Sequence, residues 1–194
     1  YYRTRIQAAK TVISQNFTYL DDTYRVGFHT LSNIPTSSYV DLAPFDAALG
    51  GQKDRWYQQL FAIAITMGKQ TPNIEAVVRI GELFRNGGNP SLIGSSDPIT
   101  LSCQKNYHML FTDGITNQVA LPVVTVGNRD DIVPPLPEPL PTAVPPIVTG
   151  APCTDLFREN TAATASNTLA AYTTHYWVTD MRPAMTNNVL RGKD

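Results

Sequence analysis

The sequence has no excess of charge of either sign. Lys and Arg total 15 and Asp and Glu total 16 among 194 residues, which gives a formal net charge of −1. A neutral chain lacks the basic surface through which proteins attract nucleic acid or an anionic membrane. We therefore expect no nucleic-acid partner.

Cysteines and long hydrophobic runs are scarce. The chain has two cysteines, too few for a disulfide-stapled mini-protein or a four-cysteine zinc site. The longest apolar run, residues 60–65, is far shorter than the ~20 residues that cross a bilayer, so no membrane span is expected. Hydrophobic residues still make up 42% of the chain, which excludes a disordered protein and predicts a soluble globular domain.

Proline is abundant, and much of it is concentrated in one segment. The chain has 15 prolines, and those within residues 129–152 exclude a helix or a central strand and favour polyproline II structure. Two interpretations stay open: a surface insertion or linker, and a proline-rich docking ligand. The lack of a basic residue between Pro134 and Pro152 disfavours the second.

Helix and strand patterns alternate along the chain. Helical spacing or composition marks residues 1–17, 52–67, 71–86 and 160–177. Strand patterns mark residues 24–31, 38–42 and 106–111. This order predicts an α/β fold with a mostly parallel sheet, in which ligands sit beyond the carboxyl ends of the strands.

Two residues stand where such a sheet would place a site. Asp113 closely follows the predicted strand 106–111, and Thr71 begins a predicted helix. A Thr hydroxyl and an Asp carboxylate are oxygen ligands that could supply part of the coordination shell of Mg²⁺. Each also has a structural interpretation, since Thr71 can cap its helix and Asp113 can stabilise a turn.

Motifs for other chemistry are missing from the sequence. It contains no P-loop, no Gly-x-Gly-x-x-Gly fingerprint, no Gly-x-Ser-x-Gly elbow and no His-Glu-x-x-His zinc motif. The three histidines, His29, His108 and His175, lie in separate predicted elements. We expect them to be packing or surface residues and not metal ligands.

Several segments resemble one family. Residues 102–117, SCQKNYHMLFTDGITN, resemble the signature of type IV pilus tip-associated adhesins of the PilC/PilY type. Residues 5–15, 24–31 and 168–189 resemble a helix, a strand and a tyrosine- and tryptophan-rich stretch of that family, in the expected order. Thr71-Pro72 lies where the family keeps a Gly-Thr-Pro loop, with Gln70 in place of the Gly.

The resemblance implies a von Willebrand factor A-like fold, which is Rossmann-like with a doubly wound, mostly parallel sheet. Residues 1–194 would form part of this domain, with the proline-rich segment 129–152 inserted in it. The first helix would follow a central strand that these residues do not contain. We therefore expect other residues, of the same or another chain, to complete the sheet.

The resemblance also implies a metal-ion-dependent adhesion site built from three loops. Thr71 corresponds to the second loop and Asp113 to the third, and the ion would be divalent, Mg²⁺ or Ca²⁺. In the family the first loop carries an Asp-x-Ser-x-Ser motif, which this sequence lacks. The implied site is therefore incomplete.

The implied function is binding and not catalysis. The chain would belong to an extracellular adhesin at the bacterial pilus tip, with minor pilins and a host or abiotic surface receptor as partners. Two alternatives stay open: a tip scaffold whose metal site has decayed, and an Asp-dependent phosphohydrolase. The phosphohydrolase would need another Asp at Ile115 and a downstream Lys, and only Lys193 follows Asp113.

The surface location implied by the resemblance suggests a disulfide between Cys103 and Cys153. Closing this loop of about 50 residues would stabilise the domain by roughly 4 kcal/mol. It would also tether the proline-rich segment to the core. Two free thiols are the alternative.

Overall fold

The computed structural model describes residues 4–31, 39–64, 70–86, 97–112, 114, 116–117, 124–129 and 166–185. They form helices α1 (Arg5–Phe17), α2 (Gln52–Ala62), α3 (Asn73–Asn86) and α4 (Leu169–Val178), and strands β1 (Arg25–Phe28) and β2 (Val40–Pro44). The four predicted helices and the strands predicted at residues 24–31 and 38–42 are confirmed, with shorter or shifted bounds. No helix in the described part of the chain has the length and apolar character needed to cross a membrane.

Threonine caps set the start of two helices. The Thr4 hydroxyl accepts a hydrogen bond from the Gln7 amide at 3.3 Å, and the Thr168 hydroxyl accepts one from the Ala171 amide at 3.1 Å. Each cap satisfies an amide that helix geometry leaves free. Helices α1 and α4 therefore begin at Arg5 and Leu169, later than residues 1 and 160, where the sequence predicted their starts.

The two strands form an antiparallel pair. Phe28 lies opposite Val40, and the register is irregular between Val26 and Phe28. Gly27 lies at this irregular step, where a Cβ would come within 3.0 Å of the Val40 carbonyl oxygen. This pair is the one sheet among the described residues, so the mostly parallel sheet stays a prediction.

One apolar cluster joins α1, α2 and the sheet around Trp56. Trp56, Phe45 and Leu60 are buried, and the Phe17 ring stacks on Trp56 with centroids 4.6 Å apart. The Trp56 indole donates a hydrogen bond to the Gly27 carbonyl at 3.3 Å. Burying a large apolar side chain contributes about 1.5–3 kcal/mol, so this cluster holds the first part of the chain together.

Two lysines connect α1 and α2 at their C-terminal ends. Lys10 of α1 donates hydrogen bonds to the carbonyls of Phe61 and Ile63 at the end of α2, at 2.7 and 2.6 Å. Lys53 of α2 donates to two carbonyls just beyond the end of α1, at 2.8 and 2.7 Å. A cation near a helix C-terminus satisfies free carbonyls and suits the helix dipole. Each helix therefore caps the other.

A second cluster joins α3 to α4 and to residues 124–129. Tyr172 of α4 is fully buried, and its hydroxyl donates to the Val124 carbonyl at 2.6 Å. The Asn167 side-chain oxygen accepts hydrogen bonds from the amides of Val126 and Gly127 at 2.9 and 3.0 Å. These bonds tie residues 124–129 to the start of α4.

Residues 106–111 differ from the prediction, since they form neither helix nor strand. Tyr107, Met109 and Phe111 are exposed, at 78%, 65% and 52%, and Asn106 and His108 are exposed as well. Between them, Leu110 packs on the α3–α4 cluster, and the His108 ring lies 6.2 Å from the ring of His29. The buried strand predicted here is wrong for this structure, because a strand needs hydrogen-bonded neighbours and no described segment pairs with it.

Candidate functional site

The start of α3 carries Thr71, as predicted. The Thr71 carbonyl accepts a hydrogen bond from the Asn73 amide at 2.9 Å, and the Pro72 carbonyl accepts one from the Ala76 amide at 3.0 Å. Pro72 is buried, and its fixed φ suits the start of a helix. Thr71 is half-buried, so part of this residue is accessible to solvent at the start of the helix.

A second loop reaches this helix start. The Asn117 amide donates to the Thr71 carbonyl at 3.1 Å, and the Asn73 side-chain nitrogen donates to the Thr116 hydroxyl at 3.0 Å. We call these four residues the Thr71–Thr116 junction. The sequence predicts Thr71 and Asp113 on two loops of one site. The structure brings these loops into contact, while Asp113 itself lies outside the described residues.

Asn73 is the member of the junction that sequence reasoning missed. It is fully buried, and its Oδ1 atom has no hydrogen-bond partner among the described residues. A buried polar atom left without a partner costs about 1–3 kcal/mol. The sequence signal for this residue is its polar side chain between the apolar residues Pro72 and Ile74.

The junction offers oxygen atoms but no negative charge. Its hydroxyls from Thr71 and Thr116 and its carbonyl from Asn73 are neutral. Within the described ranges, no group of three or more His, Cys, Asp or Glu side chains could hold a metal ion. Because Mg²⁺ and Ca²⁺ bind mainly through carboxylates, carbonyls and water, the described residues do not by themselves fit the implied cation. Asp113 would have to supply charge.

Polar side chains link the second half of α3 to α4. Arg85 donates from Nη2 to Nε2 of His175 at 3.0 Å, and Tyr176 donates to Oε1 of Glu82 at 2.9 Å. Arg85 also pairs with Glu82 at 3.5 Å. Burial lowers the pKa of His175, and the nearby Arg129 and Arg85 add to this effect. We call Glu82, Arg85, His175 and Tyr176 the α3–α4 polar cluster.

Arg182 anchors the segment that follows α4. Its Nε donates to the Phe84 carbonyl at 2.6 Å, and its guanidinium forms an ion pair with Asp97. Arg25 of β1 donates to the carbonyl of the neighbouring Pro98 at 3.0 Å. The loop at Asp97 and Pro98 therefore connects the end of α4 to the sheet. Arg182, which lies in the sequence Asp-Met-Arg-Pro at residues 180–183, thus has a structural role.

His29 and His108 face each other near Arg79 of α3. Burial lowers the pKa of His29, and Arg79 lowers it further. Partial burial and the adjacent His29 lower the pKa of His108 to about 4. The Nη1 atom of Arg79 is buried without a hydrogen-bond partner in the described part of the chain. This region therefore favours neutral histidines.

Cys103 is exposed and has no disulfide partner among the described residues, and Cys153 lies outside those residues. Their pairing therefore stays a prediction. Protein masses measured before and after alkylation without reductant test it. Equal masses support the bond, and a label on both cysteines contradicts it.

Comparison with curated proteins finds relatives of one type. The chain is 28% identical over 201 residues to the type IV pilus biogenesis factor PilY1 of Pseudomonas aeruginosa strain PAK. It is 27% identical over 203 residues to the protein of the same name from strain PAO1. The alignments cover 97% of this chain and 16% of each relative, so the chain spans about a sixth of their length.

No family model and no solved structure matches the chain. The curated relatives carry the pilus designation that the motifs in residues 102–117 and 168–189 predict. The resemblance is therefore confirmed: over almost its whole length, the chain is similar to type IV pilus biogenesis factors of the PilY1 type.

Proposed function

We propose that the chain is a binding module of a type IV pilus protein, placed at the cell surface at the pilus tip. It would act in attachment and pilus assembly, without catalysis. The observation that carries this proposal is the similarity to pilus biogenesis factors over 97% of the chain. Because those relatives are about six times longer, the module would work as one part of a larger polypeptide. The proposed partners are minor pilins and a host or abiotic surface receptor.

For the complete domain we propose a von Willebrand factor A-like fold whose sheet includes strands from outside the described residues. The 106–111 segment supports this, since its exposed apolar side chains Tyr107, Met109 and Phe111 would be covered if the segment became a strand of a larger sheet. Helix α3 supports it too, because Asn73 and Arg79 hold buried polar atoms without partners among the described residues. Residues outside those described could supply the missing hydrogen-bond partners.

Amide hydrogen exchange in the full-length protein tests the proposed sheet. Strong protection of residues 106–111 would support pairing with an added strand, since strand hydrogen bonds slow exchange. Exchange at the rate of an unstructured loop would contradict it. Residues 25–28 of β1, which are already paired, serve as the internal reference.

We place partner binding at the Thr71–Thr116 junction. Two loops joined by hydrogen bonds form a preorganised surface, and preorganisation lowers the entropy that binding must overcome. A scaffold without a bound metal is the second candidate function. The neutral oxygen set of the junction and Gln70 at the position of the family's Gly favour this alternative.

Attachment by bacteria that carry full-length variants tests the proposed function. Thr71→Ala and Asp113→Ala should reduce surface attachment more than they reduce the number of pili. Thr125→Ala, an exposed threonine on another segment, is the matched control and should behave as wild type. Normal piliation and attachment after deletion of the whole gene would overturn the proposal.

Calorimetric titration of the purified full-length protein with Mg²⁺, Mn²⁺ and Ca²⁺ separates the two candidates. Binding heat that is lost in Asp113→Ala supports a cation-dependent adhesion site. The absence of heat for all three ions supports the scaffold. Vanadate-sensitive phosphatase activity that disappears in Asp113→Asn would contradict both, since it would make the protein an enzyme.

A further inference from the structure

The hydrogen bond between Arg85 and His175 fixes the protonation of the histidine. His175 is 9% exposed on α4, and its Nε2 faces Nη2 of Arg85 at 3.0 Å. A guanidinium group has donors only, so Nε2 must be the unprotonated acceptor and the ring must be neutral. The proton of the ring then sits on Nδ1, which lies 3.3 Å from the Thr179 hydroxyl.

Protonation of His175 would break this arrangement. A second ring N–H would point at the Arg85 donor, and a new positive charge would lie near both Arg85 and Arg129. Glu82 of α3 is the carboxylate that acts on His175, and it already binds the Tyr176 hydroxyl and pairs with Arg85. The charges facing His175 from α3 and from residues 124–129 are therefore mostly positive.

We propose that His175 is a pH-sensitive latch, which holds the second half of α4 on α3 when neutral and releases it when protonated. The latch needs no metal and no partner, so it does not depend on the proposed pilus function. It acts at the contact between two helices, and the α1–α2 cluster around Trp56 is not part of it.

The direction of the effect follows from linkage. The ordinary pKa of histidine is 6.5, and burial with Arg129 and Arg85 lowers the pKa of His175 below that value. The opened state of α4 then binds a proton more readily than the packed state. Packing is therefore fully stable above about pH 6.5 and weakens as the pH falls below it.

Hydrogen exchange in the full-length protein, corrected for the pH dependence of intrinsic exchange, tests the latch. Between about pH 6.5 and the lowered pKa, protection of residues 169–178 should fall by up to ~10-fold per pH unit, relative to α1. His175→Gln keeps an acceptor for Arg85 but cannot titrate, so this fall should disappear. His108→Gln removes a histidine elsewhere and should leave the fall in α4 unchanged.

A second variant keeps the test decisive if His175→Gln fails to fold. Arg85→Gln retains a hydrogen-bond donor but removes one of the positive charges that lower the pKa of packed His175, so the fall in protection of α4 should be smaller and should end at a higher pH. Protection of α4 that does not change with pH in the wild type would overturn the proposal. So would an identical fall in His175→Gln, or a fall of undiminished size in Arg85→Gln.

Discussion

Gly81 of α3 lies so close to the ring of Tyr176 of α4 that a Cβ at position 81 would overlap that ring. Glycine in a helix interior is less favourable than alanine by about 1 kcal/mol, so its presence here indicates a packing requirement. The close approach also lets the Tyr176 hydroxyl reach Glu82 at 2.9 Å. This contact sets the spacing between the two helices.

Gly81→Ala should weaken the packing of α3 on α4. Overpacking costs about 1–3 kcal/mol, and a gain in helix propensity of about 1 kcal/mol offsets part of it. We expect a net loss of up to about 2 kcal/mol, measured by proteolysis of the protein in increasing urea. The same substitution in a Tyr176→Leu background should cost less. Equal costs in the two backgrounds would show that the ring is not the cause.

Lys10→Met should loosen the end of α2. The substitution keeps a long apolar stem but removes the donors to the carbonyls of Phe61 and Ile63. We expect a loss of about 1 kcal/mol, seen as faster hydrogen exchange at the end of α2. Lys105→Met, at an exposed lysine, is the matched control. A change of the same size in both variants would mean that only net charge matters.

Thr116→Val should destabilise the Thr71–Thr116 junction by about 1–3 kcal/mol, because both polar atoms of the Asn73 side chain would then lack partners. Adding Asn73→Leu removes those buried polar atoms and should restore most of the loss. The free energy of unfolding of the single and double variants decides between the outcomes. A double variant that is less stable than Thr116→Val would indicate that a residue outside those described binds the Asn73 carbonyl.

His108→Gln should make the domain less sensitive to acid. Partial burial and His29 lower the pKa of His108 to about 4, so the unfolded chain takes up a proton from about pH 6.5 downward before the folded one does. The stability that neutral His108 contributes at neutral pH is therefore lost between pH 6.5 and 4. The His108→Gln variant should lose less stability over this range. Because the residue as a whole is exposed, we expect a smaller effect than full burial would give. At pH 8 the two proteins should show the same sensitivity to small pH changes.

Helix α2 shows how far local spacing predicts this fold. Trp56 and Leu60 recur at helical spacing and are both buried, so the helix and its buried face follow from sequence. Its end does not, because the carbonyl of Ile63 is bound by Lys10, which is 53 positions away. Contacts between distant residues leave no periodic signal.

The candidate site, like helix α2, could be predicted from the sequence only in part. The start of α3 at Thr71 and its meeting with the loop that follows residue 112 were expected from strand and helix order. The fully buried Asn73 was not, since its role depends on a hydrogen bond to Thr116 across the junction. Gly81 did carry a signal, because a glycine within a regular helical pattern usually has a packing reason.

The 106–111 segment has a consequence for handling the protein. Its exposed side chains Tyr107, Met109 and Phe111 are apolar, and no strand in the described part of the chain pairs with it. Exposed apolar segments of this kind are templates onto which other chains can add as strands, and this is a common origin of aggregation. Two copies of these residues could pair through the same edge when nothing else covers it. Preparations of residues 1–194 alone should therefore self-associate as the protein concentration rises. Replacing Met109 with a charged residue should move this self-association to higher concentrations.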